Sequence, residues 1–90
     1  MRKSLIRART TLARALLAGG EGPHFGADLW ERTGIRAGVL YPLLTQMMTD
    51  GWLADGWESP APVGRPPRRY FRVTPYGFVA LTRLVEASRT

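Results

Sequence analysis

Apolar side chains recur at helical spacing in the middle of the chain, in the segment GVLYPLLTQMMTDGWL from Gly38 to Leu53. The apolar positions that share one arc of about 100° on a helical wheel are Leu40, Leu43, Leu44 and Met47. The opposite side carries small, uncharged residues, namely Gly38, Pro42, Thr45 and Thr49. We therefore interpret about 37–50 as a helix (helix three) that buries one face and ends at Asp50-Gly51, where the glycine supplies a left-handed cap.

The uncharged face of helix three has two interpretations. Outward faces usually carry Lys and Glu, whereas small neutral residues allow a large partner to approach closely, such as a DNA major groove about 12 Å wide. The alternative is an internal helix that is packed on both sides. Within this segment Pro42 lacks a backbone donor and crowds the carbonyl of Gly38, so the helix is expected to be regular only from about Val39, or to bend there.

The flanking sequence predicts helices one, two and four. Helix one covers Ser4–Ala18, and its wide apolar arc indicates two surfaces to cover, one inside the domain and one on a partner. Alternatively, Thr10 caps a shorter helix and residues 1–9 form a basic arm. Helix two covers Phe25–Thr33 and ends at Gly34, and helix four covers 75–88 with Thr74 as N-cap.

A β-hairpin is predicted over about 52–73, and we call it the wing. Its strands are Trp52–Glu58, interrupted at Asp55-Gly56, and Arg68–Val73. The proline-rich segment SPAPVGRPP between them cannot pair as a strand interior, and three arginines lie near the tip: Arg65, Arg68 and Arg69. Two short helices followed by a basic hairpin predict a single winged helix-turn-helix domain over 1–90, mainly α with a small β-hairpin, in the order α1-α2-α3-β-wing-β-α4.

The charge of the chain favours a polyanionic partner. It carries 13 basic and 7 acidic residues, for a net charge of +6, and all the basic residues except Lys3 are arginine. Nucleic acid or an anionic membrane surface would attract such a chain. Arginine suits phosphate in particular, because its planar guanidinium can donate two hydrogen bonds at once.

Several classes of function find no support in the sequence. With no cysteine and His24 as the only histidine, we expect no metal site and no cofactor, and His24 is expected to cap or pack. The acidic residues are scattered and do not suggest a Ser-His-acid catalytic triad. We therefore expect that the protein is not an enzyme. No apolar run approaches the roughly 20 residues that span a bilayer, so we expect no membrane association and a cytoplasmic location by default.

Several blocks of the chain resemble the PadR family of bacterial transcriptional regulators. They are Gly38-x-Leu40-Tyr41-Pro42-x-Leu44, Asp50-Gly51-Trp52-Leu53, Gly64-Arg65-Pro66-Pro67-Arg68-Arg69-Tyr70 and Thr74-Pro75-x-Gly77. The segment 24–29 resembles the second-helix motif of that family, which is usually written HGYEL. The resemblance covers roughly residues 11 to 85, and the blocks occur in the order and spacing of the family.

This resemblance implies a winged-helix repressor that binds operator DNA as a homodimer. Tyr41 matches a tyrosine that lies at the DNA surface in the family. Arg36 stands where Ser or Asn is frequent, so the usual cap of helix three is missing, and Val39 replaces a common Thr. Many members carry a longer C-terminal dimerisation region. We therefore expect helix one, helix four, or both to form the dimer here.

The candidate site residues fall into groups. The expected contacts with double-stranded DNA are Arg36, Gly38, Tyr41, Pro42, Thr45, Gln46, Arg65, Arg68 and Arg69. The expected dimer interface is Ile6, Ala13, Leu17, Leu81, Leu84 and Val85. Arg2, Lys3, Arg7 and Arg9 are expected to add non-specific affinity. Trp30, Trp52 and Trp57 are expected to pack in the core or hairpin, although the resemblance also allows a small aromatic effector between subunits.

Two alternative functions fit the same fold. The first is an accessory DNA-binding protein of a phage or plasmid, an excision or replication factor that bends or marks DNA, for which we expect arrays of directly repeated sites. The second is a winged helix whose neutral helix-three face binds a protein. In that case we expect no affinity for DNA at low salt.

Overall fold

A computed structural model of the chain describes residues 3–89 and has the mainly helical architecture that the sequence predicts. The elements in chain order are α1 (Lys3–Ala18), β1 (His24–Phe25), α2 (Gly26–Thr33), α3 (Ala37–Thr49), β2 (Leu53–Trp57), β3 (Arg69–Val73) and α4 (Pro75–Ala87). Helices one to four of the sequence analysis correspond to α1 to α4, and β2, β3 and the loop between them form the wing. Within 3–89, no helix has the length and apolarity needed to cross a membrane.

The first helix continues without a break through Thr10. The Thr10 hydroxyl donates to the carbonyl of Ile6 at 3.0 Å, inside the helix, so it does not cap a later start. Leu12 and Leu16, one turn apart, are fully buried and anchor the helix on the core. The alternative of a basic arm over residues 1–9 is therefore wrong for residues 3–9, and Arg2 lies outside the described residues.

A single core collects apolar side chains from every helix and from the sheet. Its buried members are Leu12, Ala13, Leu16, Leu29, Ile35, Leu40, Leu44, Met47, Leu53, Phe71, Val73, Leu81 and Val85. Ala13 and Leu81 are 0% exposed and Val85 is 8% exposed, which corrects their assignment to a dimer interface. The apolar arcs of α1 and α4 are wide because the two helices pack against each other as well as on the core.

The sheet contains a strand that the sequence analysis missed. Its strand order is β1-β3-β2, and both pairings are antiparallel. His24 lies opposite Phe71 and Phe25 opposite Tyr70, so Phe25 belongs to this strand and not to helix two. A strand of only two residues has no alternation to detect. The expectation that His24 caps or packs is confirmed, because its ring is buried and its Nε2 lies 3.0 Å from the carbonyl of Gly20.

The strand β2 runs continuously through Asp55 and Gly56, so the predicted interruption is wrong. Gly56 lies opposite Tyr70 in the antiparallel register. The Tyr70 ring covers this position so closely that a Cβ on Gly56 would collide with it. Glycine is therefore accommodated inside the strand because the neighbouring aromatic ring occupies the space of its missing side chain.

The third helix is continuous through Pro42. The helix begins at Ala37, before Val39, and the amides of Val39 and Leu40 share the carbonyl of Arg36 at 2.9 and 2.8 Å. Arg36 occupies the N-cap without a side-chain hydrogen bond, as the sequence predicts. The helix ends as predicted at Gly51, which has a φ of 81°.

Thr74 joins three elements at the base of the wing. Its hydroxyl accepts from the amide of Gly77 at 2.9 Å, which confirms it as the N-cap of α4. The same hydroxyl donates to the carbonyl of Gly51 at 2.7 Å, in the turn that follows α3. The Thr74 amide donates to the carbonyl of Trp52 at 3.1 Å, next to β2. The wing, α3 and α4 are therefore fixed to one another at this residue.

Candidate nucleic-acid interface

The outer face of α3 is exposed along its length. The exposed residues are Ala37, Gly38, Tyr41, Pro42, Thr45, Gln46 and Thr49. On the other side, Leu40, Leu44 and Met47 are at most 2% exposed. The interpretation of this helix as an internal one packed on both sides is therefore wrong, and a smooth neutral face is open to a large partner.

The C-terminal half of this face carries the side chains that can hydrogen-bond a base edge. Thr45 is exposed, and its carbonyl accepts from the hydroxyl of Thr49 at 3.1 Å. Gln46 donates through Nε2 to Oδ1 of Asp50 at 3.1 Å, which lays its amide along the helix surface. An adenine would require this amide to share or leave Asp50, because a glutamine reads adenine through both its amide nitrogen and its oxygen.

Tyr41 connects α3 to the start of α2. Its side chain is half exposed, and its hydroxyl lies so close to Gly26 that a Cβ there would collide with it. A cleft of about 230 Å³ opens beside it and is lined by Phe25, Gly26, Ala27, Tyr41, Arg68, Arg69 and Phe71. The cleft places side chains of the wing next to the exposed face of α3, as the sequence-based interpretation requires.

Two wing arginines share one carboxylate, that of Glu58. Arg65 binds it with both terminal nitrogens, Nη1 to Oε1 at 2.7 Å and Nη2 to Oε2 at 3.1 Å. Arg68 donates its backbone amide to Oε1 at 2.8 Å, and its Nη2 lies 3.3 Å from Oε2. The hydrogen bond from Arg65, followed by that from the Arg68 amide, lowers the pKa of Glu58 from 4.5 to about 2.

Arg69 has different partners on the opposite face of the wing. Its Nε donates to Oδ2 of Asp55 at 2.8 Å, and its Nη2 lies at the same distance from that oxygen. Nη2 also contacts the sulfur of Met48, on α3, at 3.4 Å. Arg69 therefore links the wing to α3 through its contacts with Asp55 and Met48. Sequence reasoning placed all three wing arginines in one class and did not identify Asp55 or Glu58, although hairpin pairing brings both near arginines.

The outer face of the sheet is built from aromatic rings and guanidinium groups. Phe25 and Tyr70 pack edge to face, with ring centroids 6.4 Å apart. The Arg68 guanidinium lies 4.2 Å from the centroid of Phe25, and that of Arg72 lies 5.2 Å from Tyr70. These stacks hold the arginine side chains against the sheet.

The three tryptophans lie in three different clefts. Trp52 packs against the core, and the Arg9 guanidinium lies 5.1 Å from its ring. Trp30 is 54% exposed in a cleft with Tyr41, and Trp57 is 61% exposed in a cleft beside Tyr70. The expectation of core packing is therefore wrong for these two side chains, whereas Trp57 does lie on the hairpin, opposite Arg69.

The remaining candidate residues lie apart from the wing. Arg36 is exposed at the start of α3, and Lys3 and Arg7 are exposed on α1. Ile6 is 49% exposed, and Leu17 and Leu84 are half-buried at the edge of the core. Among residues 3–89, no group of three or more His, Cys, Asp or Glu side chains could hold a metal ion.

A helix pair with an exposed second helix, followed by a basic hairpin, defines the winged helix-turn-helix class of DNA-binding folds. The profile of the transcriptional regulator PadR-like family matches residues 17–83. The chain belongs to this family of transcriptional regulators, and none of the curated proteins compared matches its sequence.

Solved structures agree with this assignment. A PadR-like transcription factor from Bacteroides fragilis is 30% identical, with a TM-score of 0.72, over 96% of this chain and 85% of that one. A PadR family transcriptional regulator from Eggerthella lenta is 32% identical, with a TM-score of 0.71, over 94% and 75%. The protein smu.1704 from Streptococcus mutans, at 17% identity and a TM-score of 0.76 over 98% and 81%, shares the fold.

Proposed function

We propose that the protein is a sequence-specific DNA-binding regulator that represses transcription by binding operator DNA as a homodimer. The observation that carries this proposal is the exposed neutral face of α3 beside an arginine-bearing wing, with Tyr41 and Arg68 lining one cleft. The relatives from Bacteroides fragilis and Eggerthella lenta, described as transcription factor and transcriptional regulator, support it.

The exposed face of α3 enters the major groove in this proposal. Gly38 and Pro42 allow close approach because neither projects a long side chain. Thr45 and Gln46 read base edges, and Arg36 at the start of the helix holds a phosphate. This division follows the general rule that phosphate contacts position a protein, whereas base contacts specify the sequence.

The wing supplies further contacts with the DNA backbone. Arg65 and Arg68 are exposed and keep N–H groups beyond those bound to Glu58, because a guanidinium has five donors. Phosphate contacts of this kind make binding strongly dependent on salt. Arg69 contributes mainly by holding the wing at its angle to α3.

The homodimer uses the outer surfaces of α1 and α4. Because Ala13, Leu81 and Val85 are buried within the chain, the available apolar surface consists of other side chains: Ile6, Leu17, Tyr76, Val79 and Leu84. Two copies of α3 would enter successive major grooves about 34–36 Å apart. A dimer bound at this spacing would block access of the polymerase to a promoter.

A mobility-shift titration with DNA from upstream of the gene, and with random DNA of the same length, tests the proposal. We expect one shifted complex on a palindromic site, with clearly tighter binding than on random DNA at moderate salt, and repression in a transcription reaction on that promoter. Equal affinity for both DNAs would refute sequence-specific binding. Binding to arrays of direct repeats would favour an accessory protein, and no binding at low salt would favour a protein partner.

A further inference from the structure

Glu58 lies at the start of the wing loop and contacts both the middle of the loop and its far end. Glu58 comes directly after β2, and its backbone amide donates to the carbonyl of Arg68 at 2.9 Å. Its carboxylate binds Arg65 from within the loop and the backbone amide of Arg68 at the end of the loop. Glu58 is only 19% exposed, whereas Arg65 and Arg68 are 42% and 49% exposed. The carboxylate is therefore less exposed than the two arginines that it binds.

Each of these arginines is held at more than one point. Arg65 donates to Pro66 through Nη1 at 3.2 Å, in addition to its two bonds to Glu58. Arg68 stacks on Phe25 and contacts Glu58 through a single terminal nitrogen. The positions of both guanidinium groups are thus fixed relative to one carboxylate.

We propose that Glu58 is a positioning residue for DNA binding, which holds Arg65 and Arg68 as a preformed pair that faces one stretch of the phosphate backbone. An unrestrained arginine loses rotamer freedom when it binds a phosphate, and this loss weakens binding. If a carboxylate already orders two arginines in the free protein, their rotamer freedom is lost on folding. It is then not lost again on binding to DNA. This inference rests on the proposed function.

The inference can be tested because positioning of the arginines and competition with phosphate predict opposite changes in DNA affinity when Glu58 is replaced. If the carboxylate only competed with phosphate, its removal would free two cations and tighten binding to DNA. Removing any negative charge from a chain of net charge +6 should also tighten binding slightly. If Glu58 positions the two arginines, removing its carboxylate should weaken binding to DNA despite the more favourable net charge.

The experiment compares Glu58→Gln with Glu31→Gln, which removes the same charge from the exposed surface of α2, outside the proposed DNA and dimer contacts. Affinity for operator and for random DNA is measured at several salt concentrations. We expect Glu58→Gln to bind about three- to tenfold more weakly, because two side chains must now be ordered on binding. Its salt slope should stay close to the wild-type value, because both arginines still reach phosphate in the complex. Glu31→Gln should bind as well as wild type or slightly better.

Two further variants separate positioning from a general loss of structure. Glu58→Asp keeps the charge but withdraws the carboxylate by one methylene, and it should also weaken binding while the melting temperature stays near that of wild type. On an Arg65→Ala, Arg68→Ala background, Glu58→Gln should cause no further weakening, because its partners are absent. Additional weakening there would show that Glu58 acts in another way and would overturn the inference.

The outcomes distinguish this inference from the proposed function. Wild-type binding with unchanged or tighter binding by Glu58→Gln would overturn the inference alone. The absence of wild-type binding to any DNA would overturn both. Weaker binding by Glu58→Gln with an unchanged salt slope, alongside normal binding by Glu31→Gln, would support positioning, since a distorted wing would lose phosphate contacts and flatten the slope.

Discussion

Helix α3 and the wing lie side by side but are held in place by different forces. The outer face of α3 is positioned by apolar burial on its other side, where Leu40, Leu44 and Met47 are almost fully covered. The wing arginines are positioned by ion pairs with Glu58 and Asp55 between partly exposed groups. Burial is insensitive to ionic strength, whereas such pairs are screened by salt. The geometry of α3 should therefore persist under conditions that loosen the wing.

The largest expected effect comes from removing the support of α3. Leu44→Ala deletes a side chain that is 1% exposed and should destabilise the protein by about 2–5 kcal/mol. Thermal unfolding followed by circular dichroism measures this change. The matched control is Thr45→Ala, one residue along on the exposed face, which should alter stability by less than about 0.5 kcal/mol. Equal destabilisation by the two variants would contradict the assignment of buried and exposed faces.

The second prediction concerns base reading by the exposed face of α3. Gln46→Ala should leave stability nearly unchanged and reduce discrimination at one operator base pair by about 1–3 kcal/mol. Selection of bound sequences from a random pool measures this as relaxed preference at a single position. Thr49→Ala, one turn further along the same face, should retain the preference. Unchanged selectivity of the Gln46 variant would exclude this side chain from base contact.

The third prediction separates the two kinds of wing arginine. Arg68→Ala should weaken binding to all DNA sequences. It should also make the fall of log K with log salt concentration less steep, by about 0.9. Arg69→Ala should also weaken binding, because it releases the wing from Met48, but it should leave the slope close to the wild-type value. Equilibrium titrations over a range of salt concentrations distinguish the two. Identical slope changes would mean that both arginines contact phosphate.

The smallest expected effect is a shift in acid titration. Glu58 is stabilised as a carboxylate, so this contribution is fully present above pH 4.5, the unfolded value, and is lost as the pH falls through about 2. Carbon-detected NMR of the Glu58 carboxyl should give a midpoint near pH 2. Arg65→Ala should move that midpoint back toward 4.5, because it removes the largest cause of the shift. An unchanged midpoint in this variant would contradict the assigned pair.

The helices and their ends could be predicted from the sequence because their causes are local. The spacing of Leu40, Leu44 and Met47 gives the buried face of α3, and Gly34, Gly51 and Thr74 mark helix ends through their own backbone or hydroxyl chemistry. Each of these signals acts within a few residues. The order of the elements follows from them, whereas the sequence left open whether the uncharged face of α3 was exposed or packed.

The features that could not be predicted depend on contacts between distant residues. The strand β1 exists because Phe71 and Tyr70 pair with it, and two residues carry no periodic signal. The apolar arcs of α1 and α4 could not be divided into core and surface without knowing that these helices pack together. The partners of the wing arginines likewise depend on the hairpin register, which sets Trp57 opposite Arg69.

The Thr74 hydroxyl has a mechanical consequence for the wing. Because it binds the turn after α3 and the first turn of α4 at once, no flexible segment separates the sheet from the last helix. Gly77 also lies so close to the Trp52 carbonyl that a Cβ at this position would collide with it. A change in the tilt of α4 is therefore expected to move the wing as well, because the two share the anchor at Thr74.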